Sequence, residues 1–420
     1  MPEIIAYPHI SRVDNEIQMK VINCEKFQKI TIRLEEESHR WYHASAHYVS
    51  DKDGQVDVSI DESVGGSYVG IETMGLFWSK EKMTNKKLSV AFDGIKFKIY
   101  LSVFDGHLNF EQQTDLSNHK SLASITIERR FADSNISCSL VRYGDLRGFL
   151  YVPNEKRQFL GVIDVGGLTG GTMNERASLL TSNGFVTFAL SLFGGFDQPK
   201  NVSEIDLTYI KRAIDYLLSH DKVQKEGVAI IGISLGGTIA LAAAGCLPKI
   251  KCVVNITGPI TACANINLKY GDRKWKAAED KEELARFITD TVQDRRYVLQ
   301  IPDYSDINNH IPPFHKSKSS ILFIYGEDDG LIRWQNHAKL AKKMLESTNK
   351  VNYKMIIYPG AGHLLIIPYA PVISKGYLSR SSRYAWFQGG KLPGHAKSQI
   401  QAWRDIIEFL KQNSIPLSRI

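Results

Sequence analysis

Residues 227–248 read GVAIIGISLGGTIALAAAGCLP, without a charged side chain. A run of that length could cross a bilayer. Its composition argues otherwise: Gly227, Gly232, Gly236, Gly237 and Ser234 break the first half, and Pro248 ends it. A short apolar run, a Gly-rich turn and an Ala-rich run spell a buried strand, a tight turn and a buried helix. The turn, Gly232-Ile233-Ser234-Leu235-Gly236, is a G-x-S-x-G pattern. Alone, five such residues could have a purely structural duty. Between an entering strand and a leaving helix they meet a mechanical demand. Glycines let a strained turn pass close to its neighbours and lift a serine hydroxyl over the helix N-terminus. Ser234 is therefore the candidate nucleophile.

A serine hydroxyl needs a base to take its proton. In this arrangement the base is a histidine late in the chain, oriented by an acid lying between the two. The apolar run ILFIYG (321–326) leads into Glu327-Asp328-Asp329, and YKMIIYP (353–359) leads into Gly360-Ala361-Gly362-His363. His363 is the candidate base. Asp329 is preferred to Asp328 as the acid, because adjacent acids cannot both face one imidazole and the later lies further out on the loop. Its task is to hold the tautomer and steady the imidazolium. The oxyanion donors are expected to be backbone amides: Leu235 N–H, and one from the loop GGLTGG (166–171), taken as Leu168. That loop lacks GxGxxG spacing, and no P-loop pattern occurs elsewhere.

Outward from this core the chain changes character once. The runs KITIRL (29–34), HASAHYVSDKDGQVDVSI (43–60), KLSVAF (87–92), KFKIYLSVFDG (96–106) and SLASITIERRF (121–131) alternate in the manner of strands. The second run is expected to be a hairpin about its Asp-Gly turn. Several short strands separated by turn signals imply a β-sandwich over 1–135. From 136 to 420 short apolar strands alternate with helical patterns, which implies an α/β domain with a parallel sheet covered on both faces. A hairpin turning at Gly144 opens it. A helix is expected to start at Ser203, with Asp206 three residues on as in a capping box, and an amphipathic helix closes the domain over 397–412.

Composition narrows the function. Hydrophobic residues at 43% and charged residues at 23% are ordinary globular usage. A formal charge of +7 suits an anionic ligand but is too small to argue for nucleic acid. Five cysteines without a CxxC pair exclude a disulfide scaffold and a cysteine-based zinc ribbon, and they suit a reducing compartment. The N-terminal MPEIIAYPHISRVDNE shows no secretory pattern, and stable membrane insertion is not expected. His43 and His47 are four apart but lie in a strand pattern without HExxH, so no metal is expected there. His395, in LPGHAKSQ, reads as a surface or packing residue, and Cys246 and Cys263 as small buried ones.

The whole sequence resembles the family of acyl-CoA thioesterases that shares its architecture with bile-acid-CoA:amino-acid N-acyltransferase. The segments that carry the likeness run across nearly the whole chain. They are GGSYVGIETMGLFWS (65–79), RGFLYVP (147–153), GGTMNERASLLTSNGF (170–185), GISLGG (232–237), GEDD (326–329), YPGAGHLLIIPYAP (358–371) and GGKLPGHAKSQIQAW (389–403). The resemblance implies an immunoglobulin-like β-sandwich followed by an α/β-hydrolase domain. It places the nucleophile on Ser234, the acid on Asp329 and the base on His363, with no metal or redox cofactor. In this family the amino-acid-conjugating members carry Cys at the nucleophile and the thioesterases Ser, so Ser234 implies hydrolysis of a fatty acyl-CoA, with acyl transfer to glycine or taurine and a non-catalytic binding protein of the same fold as the alternatives. The residues after Asp329, GLIRW, depart from the family's usual pattern. The polyanionic substrate makes Arg273, Lys274 and Lys276, within 265–318, candidates for its mouth, against the simpler reading of a solvated charged face. The last residues, Ser418-Arg419-Ile420, resemble the small–basic–aliphatic peroxisomal address. Peroxisome is therefore the expected location, with cytoplasm as the alternative.

Overall fold

The computed structural model describes residues 1–38, 41–83, 95–109, 112, 119–376 and 383–414. The chain divides into two compact units, Met1–Asp133 with Ile367–Val372, and Ser134–Ile366 with Ile373–Ile420. Residues 367–372, which chain order assigns to the second domain, group with the first unit.

In the first unit, alternating sequence builds two sheets among the described residues. One runs, in spatial order, through Ile10–Arg12, Ala123–Arg130, Lys96–Asp105, Lys29–Glu37, Trp41–Val49 and Gly65–Gly66, with Glu81–Lys82 also pairing on Trp41–Val49. The other contains Glu3–Tyr7, Gln18–Ile22 and Val56–Asp57. Met19 and Val21 of the second sheet are wholly buried between more exposed neighbours, as a period of two requires, whereas in the first sheet Thr31 and Arg33 are buried along with Ile30, Ile32 and Leu34.

The expected hairpin over 43–60 does not form. Trp41–Val49 pairs with Lys29–Glu37, whereas Val56 pairs with Val21 in the other sheet. Between them the Asp51 carboxylate accepts the N–H groups of Asp53 and Gln55, each at 2.8 Å, in a loop that carries the chain from sheet to sheet. Alternation marks a strand but does not name its partner. The expected strand over 87–92 lies outside the described residues.

The second unit is built on one mixed sheet. Its strands are β1 (Ile136–Tyr143), β2 (Leu146–Pro153), β3 (Phe159–Val165), β4 (Val186–Leu190), β5 (Val223–Ile233), β6 (Ile250–Ile256), β7 (Ser320–Gly326) and β8 (Tyr353–Tyr358), in the order β1-β2-β4-β3-β5-β6-β7-β8. β1 and β2 form a hairpin about Gly144, β2 pairs antiparallel with β4, and the other neighbours are parallel. β3 and β4 are buried at every residue, as strands covered on both faces are. The principal helices are α1 (Asn174–Ser182), α2 (Leu207–Ser219), α3 (Leu235–Cys246), α4 (Trp334–Glu346) and α5 (Gly394–Gln412). This strand order, with a one-residue turn from β5 into α3, is the α/β-hydrolase architecture.

α2 opens later than expected. Residues Glu204–Asp206 form a short strand against Asn267–Tyr270, and Asp206 is the N-cap, accepting the Thr208 N–H at 2.8 Å. Pairing with a distant strand delays the start that the Ser203–Asp206 spacing suggested. The loops after β3, β5, β7 and β8 converge at the carboxyl end of the sheet, where open α/β sheets place their sites.

Candidate active site

Ser234 is the single residue between β5 and α3, with φ 56° and ψ −125°. Such a conformation costs an L-residue about 1–3 kcal/mol. Two glycines make the turn possible. A Cβ at Gly232 would lie 2.1 Å from the Gly236 carbonyl oxygen, and one at Gly236 would lie 2.4 Å from that of Gly166. The first lets the turn close on itself; the second lets it approach the loop after β3. Ser234 N–H donates to the Ile256 carbonyl at 2.8 Å, and the Ser234 carbonyl accepts the Gly237 N–H at 2.9 Å.

Leu235 begins α3, where backbone N–H groups have no acceptor one turn back. The loop after β3 brings Gly167 so close that a Cβ there would sit 3.5 Å from Ser234 Cβ. The next residue, Leu168, lines the same cavity as Ser234. Both residues named for their amides thus lie beside the serine. The end of β3 is tied to α1 by a wholly buried ion pair, Arg176 Nη2 to Asp164 Oδ1 at 2.5 Å; the same guanidinium reaches the Val165 carbonyl at 3.3 Å.

The two adjacent acids part company. Asp329 is 2% exposed, and its Oδ2 lies 2.8 Å from His363 Nδ1. Its Oδ1 accepts the N–H groups of Leu331 and Ile332 at 2.8 and 3.0 Å. Asp328 instead accepts the Gly390 N–H at 3.2 Å and faces Arg296 at 3.8 Å. With Asp329 a carboxylate, His363 carries its proton on Nδ1, which leaves the Nε2 lone pair for a hydroxyl. Nε2 is buried and makes no hydrogen bond among the described residues. The His363 backbone is also tied down: its N–H donates to the Gln388 carbonyl at 2.7 Å, and its carbonyl accepts the Thr257 hydroxyl at 2.8 Å.

Ser234 and His363 both line a cavity of about 80 Å³ whose apolar wall includes Val298, Leu299, Leu331 and Ile332. It shares Leu168, Ala264, Asp280, Arg295 and Trp386 with a neighbouring cavity of about 720 Å³, to which Lys200 also contributes. Arg295 pairs with Glu282 at 2.5 Å and stacks 4.4 Å over the Trp386 ring. Burial, then the Glu282 charge, raises the Asp280 carboxyl against the pull of Arg295. Cys263 lines the smaller cavity, but burial pushes its thiol up to about 12, so it stays protonated and a poor nucleophile.

Several sequence candidates stay outside. Arg273, Lys274 and Lys276 are exposed, and Lys274 pairs with Glu204 at 2.8 Å; none lines either cavity. The stretch 265–318 supplies Asp280, Arg295, Val298 and Leu299 instead. Their exposure fits the simpler reading of a solvated charged face. Arg295 carries no local pattern, and Trp386 joins it from a distant strand. His43 and His47 lie on Trp41–Val49, where His47 Nε2 contacts the Leu108 carbonyl at 3.1 Å and its ring stacks on His107. Cys246 is half-buried. His395 is 1% exposed and packs beneath the His363 loop. Among the described residues no helix is long and apolar enough to cross a membrane, and no group of three or more metal-ligating side chains occurs.

Comparison with known proteins adds the relationship. Residues 205–416 match the family described as "BAAT / Acyl-CoA thioester hydrolase C terminal", and residues 14–143 match "Acyl-CoA thioester hydrolase/BAAT N-terminal region". The chain is 32% identical over 417 residues to acyl-coenzyme A amino acid N-acyltransferase 1 of Mus musculus, covering 98% of each chain. It is 32% identical over 399 residues to acyl-coenzyme A thioesterase 1 of the mouse, covering 94% of this chain and 93% of that one. A mouse peroxisomal succinyl-coenzyme A thioesterase is 29% identical over 409 residues, covering 94% and 93%. The chain therefore belongs to the family that unites the acyl-CoA thioesterases with bile-acid-CoA:amino-acid N-acyltransferase.

Proposed function

We propose that this protein hydrolyses acyl-CoA thioesters to a carboxylic acid and CoA through an acyl-serine intermediate. The observation that carries the reading is the meeting of Ser234, on a strained elbow, and the buried His363–Asp329 pair at one cavity. Ser234 Oγ attacks the thioester carbonyl while His363 Nε2 takes its proton, and Asp329 steadies the imidazolium. The tetrahedral oxyanion is held by the amides of Leu235 and Leu168. A lost donor of this kind costs about 2.7–4 kcal/mol. The thiolate of CoA leaves with the proton from His363. Water, deprotonated by the same nitrogen, then releases the acid. The larger cavity, at about 720 Å³, is of the size that takes a drug-sized ligand, which supports it as the seat of part of the CoA moiety.

CoA release followed with a thiol reagent tests this. Native protein should release CoA, and Ser234→Ala should lower kcat by about a thousand-fold or more. No release by the native protein, or equal release by the variant, overturns the reading. A second reading, transfer of the acyl group to an amino acid, is favoured by the 32% identity to an N-acyltransferase over 98% of both chains. Adding glycine or taurine separates the two: an amide product supports transfer, and unchanged free acid supports hydrolysis. An acyl-serine ester is less open to amines than an acyl-cysteine thioester, which favours hydrolysis. The tripeptide Ser418-Arg419-Ile420 lies outside the described residues. Its proposed role as a peroxisomal address fails if a fusion without it distributes like the full chain.

A further inference from the structure

The segment 362–364, which carries the proposed base, is held by hydrogen bonds on every residue. His363 itself is tied through Gln388 and Thr257. Its two neighbours are tied by one side chain. His395 Nδ1 lies 2.9 Å from the Gly362 nitrogen, and His395 Nε2 lies 3.2 Å from the Leu364 carbonyl oxygen. Gly362 N–H can only donate, so Nδ1 is the acceptor; Leu364 can only accept, so Nε2 bears the proton. One neutral tautomer fits, and an imidazolium would set N–H against N–H.

The surroundings favour that state. The ring is 1% exposed, and burial lowers its pKa. The charged group facing it is Asp328, which works in the opposite direction, as does the bond to Leu364. His395 sits in the first turn of α5, and its own N–H is fixed to the Lys391 carbonyl at 2.8 Å. The ring also presses on the strip 388–390: a Cβ at Gly390 would come within 2.4 Å of Nδ1. That strip touches the acid loop as well, since Gly389 bridges Asp329 and Gly390 N–H binds Asp328. His395 therefore stands where the base loop, the acid loop and the last helix meet.

We propose that His395 is a positioning residue for His363: by clasping both flanks of the base with one neutral imidazole, it sets the direction of His363 Nε2 toward Ser234. The inference rests on the reading of His363 as the base. It assigns His395 no contact with substrate. Misplacing a reacting group by about 1 Å costs about a hundred-fold in rate, whereas substrate contacts made elsewhere are unaffected.

The test compares full-length wild type with His395→Leu, which fills the space without either hydrogen bond, His395→Asn, which keeps an acceptor, and His395→Gln, which keeps a donor. Steady-state CoA release, labelling of Ser234 by a fluorophosphonate, and thermal midpoints are measured together. The expected result is a kcat lowered about 10–100-fold in His395→Leu, with KM within about two-fold of wild type. Asn and Gln should fall between Leu and wild type, and labelling should slow in step with kcat. If the Leu variant does not fold, the Asn and Gln variants are judged by the same split between kcat and KM. A kcat within about two-fold of wild type in every folded variant overturns the proposal, as does a loss that tracks the thermal midpoint and moves KM equally. Failure of the underlying reading looks different: wild type would then show no Ser234-dependent CoA release at all.

Discussion

Ser234 and His363 line one cavity, yet the chain brings them there by opposite means. The elbow is made within five consecutive residues, two of them glycines whose missing Cβ atoms let backbone meet backbone. Its serine is held at φ 56° by the strand and helix on either side. The histidine loop also needs a glycine, since a Cβ at Gly362 would lie 2.3 Å from the Gly389 backbone, but its histidine takes its aim from distant residues. His363 is fixed by Asp329, 34 residues earlier, and by Thr257, 106 residues earlier, while Gly362 beside it is fixed by His395, 33 residues later. One region stores strain in its own backbone; the other is aimed by side chains gathered from afar. Substitutions at the elbow should therefore act through backbone position, and substitutions around the loop through orientation.

Among changes that leave Ser234 in place, the largest effect is expected where orientation depends on one atom pair. Asp329→Asn presents an amide to His363 and favours the wrong tautomer; the corresponding change in a serine protease lowers kcat about 10⁴-fold. Asp328→Asn, one residue away but facing Gly390 and Arg296, should change kcat by less than about ten-fold under the same assay. Equal losses would show that the two acids share the histidine, and the contrast between elbow and loop would weaken.

Gly236→Ala comes next. Its Cβ would meet the Gly166 and Val165 carbonyl oxygens at 2.4 and 2.5 Å, both backbone atoms. Overpacking of this kind costs about 1–3 kcal/mol, and the displaced loop carries Leu168. Urea unfolding and CoA release should fall together here, with kcat down about a hundred-fold. Thr257→Val keeps the volume but strips the hydroxyl from the buried His363 carbonyl. An acceptor so orphaned costs about 1–3 kcal/mol, and activity should fall by less than about ten-fold because the other ties remain. If Thr257→Val hurt activity more than Asp329→Asn, the loop would be held chiefly through its backbone.

The same contrast explains what could be read in advance. The elbow was legible because strand, turn and helix occupy adjacent residues with distinct compositions. The sheet of the second unit was legible for the same reason, each strand being a short apolar run between helical patterns. The partner of Val56 was not, because alternation is silent on which sheet a strand joins, and the Asp51 loop decides it. The start of α2 slipped because Glu204–Asp206 pairs with residues some sixty positions on. Around the site, Asp329 could be favoured by its place on the loop, but its contrast with Asp328 depends on Leu331, Ile332 and Gly390. Arg295, Trp386 and the clasp of His395 had no local signal. Their placement comes from contacts between residues far apart in the chain, which no pattern along the chain records.

The smallest effect separates strain from chemistry at the elbow. Ser234→Ala and Ser234→Gly both remove the hydroxyl, so both should be inactive in CoA release. They differ in Cβ. Alanine keeps it and with it the positive-φ strain, of order 1–3 kcal/mol. Glycine releases the strain but gives back about 0.5–1 kcal/mol through the greater freedom of its unfolded chain. The glycine variant should therefore be more stable than the alanine variant by about 1 kcal/mol, read as a higher urea midpoint at unchanged slope. A glycine variant no more stable than the alanine one would mean that the turn around Ser234 is relaxed. The exposure of the hydroxyl would then follow from the packing of β5 and α3, and the elbow would resemble the histidine loop in being held from outside.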